Sequence, residues 1–440
     1  MFLDNFLRII KRNPFLFYAA TVASVSNGFV LPFLKQIHVE VTNSYLVLCL
    51  GEALFITALA TMGTIWGIGF DRTNNKNSLM FFALEGVAIF VFLTSIASNP
   101  IEYLMLRLFT GFFMSAIYAF AMSIVASEYA PGERINTYML VYLFMNIGVA
   151  IGTVMGAVLS KITSWRSIVK LYAILLGVSA PMILISKESK QSILEKNKVS
   201  DNINTRNSFR HIFKVKTNGI VMLQGFFGCI PWGAIGLFMI YAIMEKTGGS
   251  FISVGITLGL GSIFYPFSLL VAPKIDRMRK KEMFSALTAL TGVAILAQAI
   301  LFIAFILIPL PKIQQTDDIV MEVTYALMLL NDRGIILSLI IYGSFICVAA
   351  VPGPVTRNII ADINSSDEVA TAVMLVRLVE NLGSAVGLIF AGVLVDFYGK
   401  FISALEVIWI SWIICAAIWF LLGKYYQEDA KLGPRSRTPT

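Results

Sequence analysis

The chain has 440 residues, of which 57% are hydrophobic and only 14% charged, and its mean hydropathy is +0.79. A soluble domain of that length has no interior large enough for so much apolar surface, which excludes a soluble globular protein and makes the bilayer the solvent. The formal charge is +8, but the basic residues lie in short loops beside apolar runs, which argues against nucleic-acid binding.

Apolar runs of about 20 residues or more satisfy their own backbone in hydrocarbon as helices, whereas barrel strands would alternate every second residue. The expected fold is an all-α polytopic membrane protein of twelve spans in two pseudo-symmetric six-helix bundles. The first six spans are Pro14–Gln36, Ser44–Phe70, Ser78–Ala97, Ile101–Ser127, Ile135–Ser160 and Trp165–Ser186. The last six are Thr217–Met244, Phe251–Pro273, Met283–Ile308, Gly334–Ala361, Val369–Val395 and Ile402–Gly423. The domains read as 1–186, a linker 187–216, 217–425 and a tail 426–440. In the linker, Ser208–Lys214 fits either a short amphipathic helix on the membrane surface or a solvated charged segment. Of the 34 Lys and Arg, 24 fall on the side that holds both termini, 7 on the other side and 3 inside spans. The positive-inside rule makes the rich side cytoplasmic, in an inner or plasma membrane.

The four cysteines (Cys49, Cys229, Cys347, Cys415) lie in apolar runs, and the two histidines (His38, His211) in loops. Neither a disulfide framework nor a metal cluster is expected, and no cofactor. No cleavable signal peptide is expected, because the run after Lys11-Arg12 is long enough to span.

The two halves repeat. Gly67-Ile68-Gly69-Phe70-Asp71-Arg72-Thr73-Asn74-Asn75-Lys76 runs out of the end of span 2, and Ala272-Pro273-Lys274-Ile275-Asp276-Arg277 out of the end of span 8, 205 residues later. Gly148, Gly152 and Gly156 in span 5 match Gly383, Gly387 and Gly392 in span 11, at an offset of about 235. The difference falls in the loop Pro309–Asp332, read as an insertion between spans 9 and 10. Small residues at such spacing let helices approach closely in lipid. Spans 5 and 11 are therefore expected to pack against the opposite half, with packing inside their own half as the alternative.

These motifs resemble the major facilitator superfamily over nearly the whole chain. Gly67-x-x-x-Asp71-Arg72-x-x-Asn75-Lys76 resembles its signature between spans 2 and 3, with Asn74 where Gly is usual. Arg107-x-x-x-Gly111 resembles its span-4 Arg motif. Glu128-x-x-Pro131-x-x-Arg134 and Trp165-Arg166 resemble its loop 4–5 and the start of its span 6. Gln224–Gly233, Gly353-Pro354, Asn358, Asn364 and Asn381-Leu382-Gly383 resemble Spinster-like members, relatives of which move lysolipids or sphingoid phosphates. Those proteins often carry an acid in span 1, where this chain has Ser26-Asn27. The resemblance implies a path lined by spans 1, 4, 7 and 10, with contributions from spans 2, 5, 8 and 11. It also implies a latch in which Asp71 faces the amino end of span 11, Arg72 and Lys76 pair with acids such as Glu128 near Arg134, and Asp276 and Arg277 repeat the contact.

Ionisable residues inside spans are costly and usually line a cavity or pair. Glu52 and Arg107 sit at similar depth and suit a pair. Arg107, Gly111, Ser115 and Tyr118 share one helical face; so do Thr21, Ser24 and Asn27/Gly28, and Arg377, Glu380/Asn381 and Ser384. Arg377 with Glu380 fits an anion-binding Arg whose partner is released, or a structural ion pair. Gln224, Trp232 and Phe226 or Phe227 fit an aromatic wall of the path, or packing. The expected function is a secondary transporter for a small anionic or zwitterionic amphiphile, with Glu52 or Glu380 as the residue for any proton coupling. Its expected partners are that solute, membrane lipids and coupling protons, and it is expected to be a monomer. A lysolipid, multidrug or metabolite exporter is the finer alternative. A non-transporting sensor on the same scaffold is the alternative of another class. An enzyme is not expected, since no nucleophile–base or nucleotide-binding arrangement is visible.

Overall fold

The computed structural model describes residues 2–73, 75–129, 131–185, 212–261, 264, 271–313, 316, 318–328, 331–365 and 368–432. Among them every regular element is helical. The chain divides into two compact units, Met1–Ile203 and Asn204–Thr440.

The first unit holds α1 (Phe2–Arg12), α2 (Pro14–Val30), α3 (Tyr45–Arg72), α4 (Lys76–Thr94), α5 (Pro100–Glu128), α6 (Pro131–Leu159) and α7 (Trp165–Ser179). Polar caps start most of them: Asn13, Ser44, Asn75, Asn99 and Ser164 each accept a backbone N–H of the first turn, satisfying donors that a helix start leaves free. Pro32 has no N–H to return to Gly28, whose carbonyl accepts from Leu31 instead. The chain tightens there into a 3₁₀ turn, then continues through a π turn to Thr42, past the predicted end at Gln36.

The second unit holds α8 (Lys216–Thr247), α9 (Phe251–Gly261), α10 (Ala272–Lys280), α11 (Phe284–Leu307), α12 (Ile319–Met328), α13 (Arg333–Ala349), α14 (Pro352–Ile363), α15 (Val369–Tyr398), α16 (Phe401–Ile408) and α17 (Ile410–Leu432). Among the described residues, ten helical stretches are long and apolar enough to cross a membrane. α6 and α9 lie at the places of predicted spans 5 and 8.

Several local expectations are corrected. The sequence reading started its first helix at Pro14 and so missed α1. Asp71-Arg72 ends a helix, and Asp276-Arg277, expected past the end of span 8, lies inside α10. The expected insertion contains a helix, α12, packed against α9. Span 10 is two helices, α13 and α14, interrupted at Ala350-Val351 ahead of Pro352; both residues keep helical dihedrals, and the interruption falls where Pro352 has no N–H to continue the ladder. In the linker, 212–214 is a helical turn with Ile212 buried; Ser208–His211 lies outside the described residues.

The span-5 and span-11 glycines pack inside their own units, not as the sequence suggested. A Cβ on Gly148, Gly152 or Gly156 would lie 2.2, 2.2 or 3.1 Å from the carbonyl oxygens of Thr21, Val25 and Phe29 in α2, and one on Gly28 would lie 2.0 Å from the Val149 oxygen. The second unit copies this seam. Gly383 and Gly387 face the Phe226 and Ile230 oxygens of α8 at 2.2 and 1.9 Å, and Gly233 faces the Ser384 oxygen at 2.1 Å. Thr21 and Phe226, and Val25 and Ile230, are 205 positions apart; Gly148 and Gly383, and Gly152 and Gly387, are 235 apart. Both sequence offsets therefore recur in the contacts. The counterpart of Gly156 is the fully buried Ala391, one position before the predicted Gly392.

Gly387→Val is expected to destabilise the protein by about 1–3 kcal/mol through overpacking. Gly236→Ala is expected to be neutral or slightly stabilising, since nothing lies within 4 Å of a Cβ there. Thermal unfolding in detergent checks this; equal midpoints for the two variants would contradict the seam.

Candidate functional site

The best-defined buried charge is in the first unit. Glu52 and Arg107 each stand seven residues into their helices, α3 and α5, about 10 Å from the helix start at 1.5 Å per residue. Their side chains form an ion pair between Arg107 Nη2 and Glu52 Oε2. The Tyr103 hydroxyl donates to Glu52 Oε1 at 3.0 Å. The Arg107 guanidinium lies 4.4 Å from the centroid of the Phe55 ring. Arg107 is 4% exposed, and its Nε has no hydrogen-bond partner among the described residues.

Two glycines bring α3 and α5 together at this point. A Cβ on Gly51 would lie 2.5 Å from Tyr103 Cε1, and one on Gly111 would lie 2.4 Å from the Phe55 oxygen. One turn further along, Trp66 Nε1 donates to the Phe112 oxygen at 2.8 Å and the Ser115 hydroxyl donates to the same oxygen at 2.7 Å. The predicted stripe Arg107–Gly111–Ser115 is thus the face that meets α3. Tyr118, its last member, is half-buried. The stripe in α2 behaves alike: the Thr21 oxygen and Ser24 Cβ meet Gly148. The Asn27 side chain lies outside the described residues.

In the second unit Glu380 rests on Gly225, its Cγ 3.0 Å from where a Cβ would be. Among the described residues, the cations whose charge reaches it are Arg377, as the spacing suggested, and Arg357, which the sequence reading left without a role. Asn381 is half-exposed beside it. Gln224 is buried, and its oxygens are approached by Cys415 Sγ from α17. Trp232 packs against Phe345 and Trp412, with ring centroids 5.7 and 5.9 Å away. Both residues therefore face the interior of the unit. Pro231 interrupts the backbone bonding of α8. Side chains reach neighbouring carbonyls there: Trp412 Nε1 donates to the Gly228 oxygen at 2.9 Å and Ser384 Oγ to the Cys229 oxygen at 3.2 Å.

Of the expected latch residues, Lys76 is buried and its Nζ donates to the Ser123 oxygen of α5 at 3.4 Å. Arg277 is exposed on α10. The side chains of Asp71, Arg72, Glu128, Arg134 and Asp276 lie outside the described residues.

Sequence reasoning missed three polar clusters. Glu40 accepts from Trp165 Nε1 at 2.8 Å and pairs with Arg166 at 3.2 Å, while Arg166 Nη1 donates to the Ser95 and Ala97 oxygens at 2.9 Å. Asp362 pairs with Arg279 and accepts from the Tyr426 hydroxyl at 2.6 Å. Asn218 and Asn364 exchange reciprocal amide bonds of 2.8 and 3.0 Å. No spacing rule links residues so distant in sequence. Tyr103 and Phe55 were within reach of one, since they stand four before Arg107 and three after Glu52.

Apolar helices in two units that repeat one packing seam, with charge paired inside them, define a polytopic helical membrane protein of duplicated architecture. The family profile described as Major Facilitator Superfamily matches residues 16–349. The chain belongs to that superfamily and is an integral membrane transporter. It is similar in fold to the crystal structure of a bacterial homologue of the human lysosomal transporter Spinster in an inward-facing, unoccupied conformation, with TM-score 0.66 and 16% identity over 94% of this chain and 96% of that one. It is also similar to the nucleoside transporter NupG, with TM-score 0.63 and 15% identity over 94% and 98%. At these identities the likeness shows the fold alone. A search of curated proteins finds no match.

Glu52→Gln leaves a buried guanidinium without its counter-ion and is expected to cost about 3–5 kcal/mol. Tyr103→Phe removes one hydrogen bond and is expected to cost about 1 kcal/mol. Adding Arg107→Gln to Glu52→Gln is expected to recover part of the loss, as a double-mutant cycle by unfolding in mixed micelles would register. Strict additivity would show that the pair does not act as a unit.

Proposed function

We propose that the chain is a secondary transporter that carries, by alternating access, a small organic solute with an anionic or zwitterionic group on an apolar body. The observation that supports this reading best is Arg107, a buried guanidinium neutralised by one carboxylate, with an N–H that has no acceptor among the described residues. A guanidinium offers five donors in a fixed fork. A substrate carboxylate or phosphate taking the place of Glu52 would be held bidentately, with the Phe55 ring beside the solute's apolar part. Glu52, once displaced, keeps Tyr103 as a donor or takes up a proton, which is how proton coupling would enter. Glu380, beside Arg377 and Arg357, is the matching candidate in the second unit. Asn27, Tyr118, Gln224, Trp232 and Asn381 then support or border the path.

In this reading Asp71, Arg72, Lys76, Glu128, Arg134, Asp276 and Arg277 latch one conformation. Each contact between a carboxylate and a helix amino end contributes about 0.3–2 kcal/mol, enough to bias two states without locking either. Both termini and the linker 187–216 lie on the cytoplasmic side in this scheme, as the distribution of Lys and Arg favours, and the chain works as a monomer. The Spinster-like stretch Gln224–Gly233 makes a lysophospholipid the first solute to try. The likeness to NupG makes a nucleoside the uncharged comparator.

Purified protein in proteoliposomes is expected to show saturable flux of the anionic solute. Arg107→Gln is expected to weaken apparent affinity at least tenfold, the factor that 1.4 kcal/mol represents, and Asp71→Asn to slow flux without unfolding the protein. Binding without flux would favour a sensor on the same scaffold. Unchanged affinity in Arg107→Gln would move the substrate site elsewhere.

A further inference from the structure

We propose that α1 is an interfacial helix that binds the anionic lipid surface beside the span it precedes, and that it holds the connection between α5 and α6 through Tyr129. The helix reads Phe-Leu-Asp-Asn-Phe-Leu-Arg-Ile-Ile-Lys-Arg from Phe2 to Arg12. At 100° per residue, this sequence separates into two sectors. Phe2, Leu3, Phe6, Leu7, Ile9 and Ile10 are the apolar set; Asp4, Asn5, Arg8, Lys11 and Arg12 are the polar set. Among the side chains described, Arg8, Lys11 and Arg12 are exposed. Leu7 is 47% exposed and Ile9 only 4%. One edge of the apolar sector thus packs on the protein, while Leu7 remains uncovered.

The partner follows from chain continuity and charge. Asn13 alone separates α1 from Pro14, where the first membrane span begins. The helix therefore sits at the surface of that membrane, within one residue of the hydrocarbon-crossing segment. Three cations against the single acid Asp4 match anionic headgroups, and an apolar edge beneath basic residues is the pattern of helices lying in the interface. Each basic residue near an anionic surface strengthens the attraction several-fold, so three together give roughly a hundredfold.

Tyr129 ties α1 to the rest of the unit. Its hydroxyl donates to the Ile9 oxygen at 3.1 Å, and the Arg12 guanidinium carbon lies 4.9 Å from its ring centroid. Tyr129 stands directly after α5 and two residues before α6. A headgroup that draws α1 to the surface therefore also holds this link. The inference is independent of the substrate reading.

The test uses the full chain with Leu7→Cys carrying an environment-sensitive fluorophore, and with Cys229 and Cys347 replaced by Ala. It is placed in nanodiscs of phosphatidylcholine with increasing phosphatidylglycerol. The label is expected to shift to the blue and to become several-fold better protected from iodide as phosphatidylglycerol rises. The variant Arg8→Gln, Lys11→Gln, Arg12→Gln is expected to lose that dependence. High salt is expected to do the same to the unmutated helix, which keeps the test valid if the triple variant folds poorly. Protection that ignores lipid charge would overturn the proposal, and would assign the Leu7 edge to a protein neighbour. A dependence that survives in the folded triple variant or at high salt would overturn it as well.

Discussion

Close approach of backbones at small residues is the constraint from which the rest of this structure follows. Apolar side chains gain little by leaving lipid for another helix, so the spans associate where glycine lets carbonyl oxygens and Cα atoms touch. Gly28, Gly148 and Gly152 do this between α2 and α6, and Gly233, Gly383 and Gly387 do it between α8 and α15. Gly51 and Gly111 bring α3 and α5 together in the same manner. That contact places Glu52, Tyr103 and Arg107 within bonding distance and shuts lipid away from them.

Charge and polarity are kept at such seams. Arg107 with Glu52, Glu380 on Gly225 and Ser384 on the Cys229 oxygen all lie where two helices of one unit meet. A polar stripe at helical spacing thus fits two roles, pore lining and helix packing. In this protein the seam accounts for most members of each stripe, and the charged members are the ones left with chemistry to perform. Removing one partner of a buried pair costs far more than the pair itself contributes, so Arg107 retains its carboxylate until another anion replaces it.

Much of the architecture was legible beforehand because its causes are local. Span length and the doubled Asp71-Arg72 and Asp276-Arg277 motifs are properties of short stretches, and the two offsets of the repeat recur in the glycine contacts. The Glu52–Arg107 pair was legible from depth along two helices. The direction in which Gly148 and Gly383 pack was not, because spacing shows that a face is small without showing which helix meets it. Glu40 with Arg166, and Asp362 with Arg279, were invisible for a related reason: each joins residues far apart in sequence whose meeting depends on the finished fold. The amphipathic α1 is not marked by span length, because it is short and mixed in polarity, although its periodicity stands plainly in the first twelve residues.

The central chemical claim is that an incoming anion and Glu52 compete for one guanidinium. Ligand-induced infrared difference spectroscopy, comparing the unmodified protein with Glu52→Gln, addresses that competition at the bond itself. If the account holds, adding the transported anion changes a carboxylate stretching band, and the variant lacks that change. A carboxylate band from Glu52 that stays unaltered at saturating ligand would contradict it.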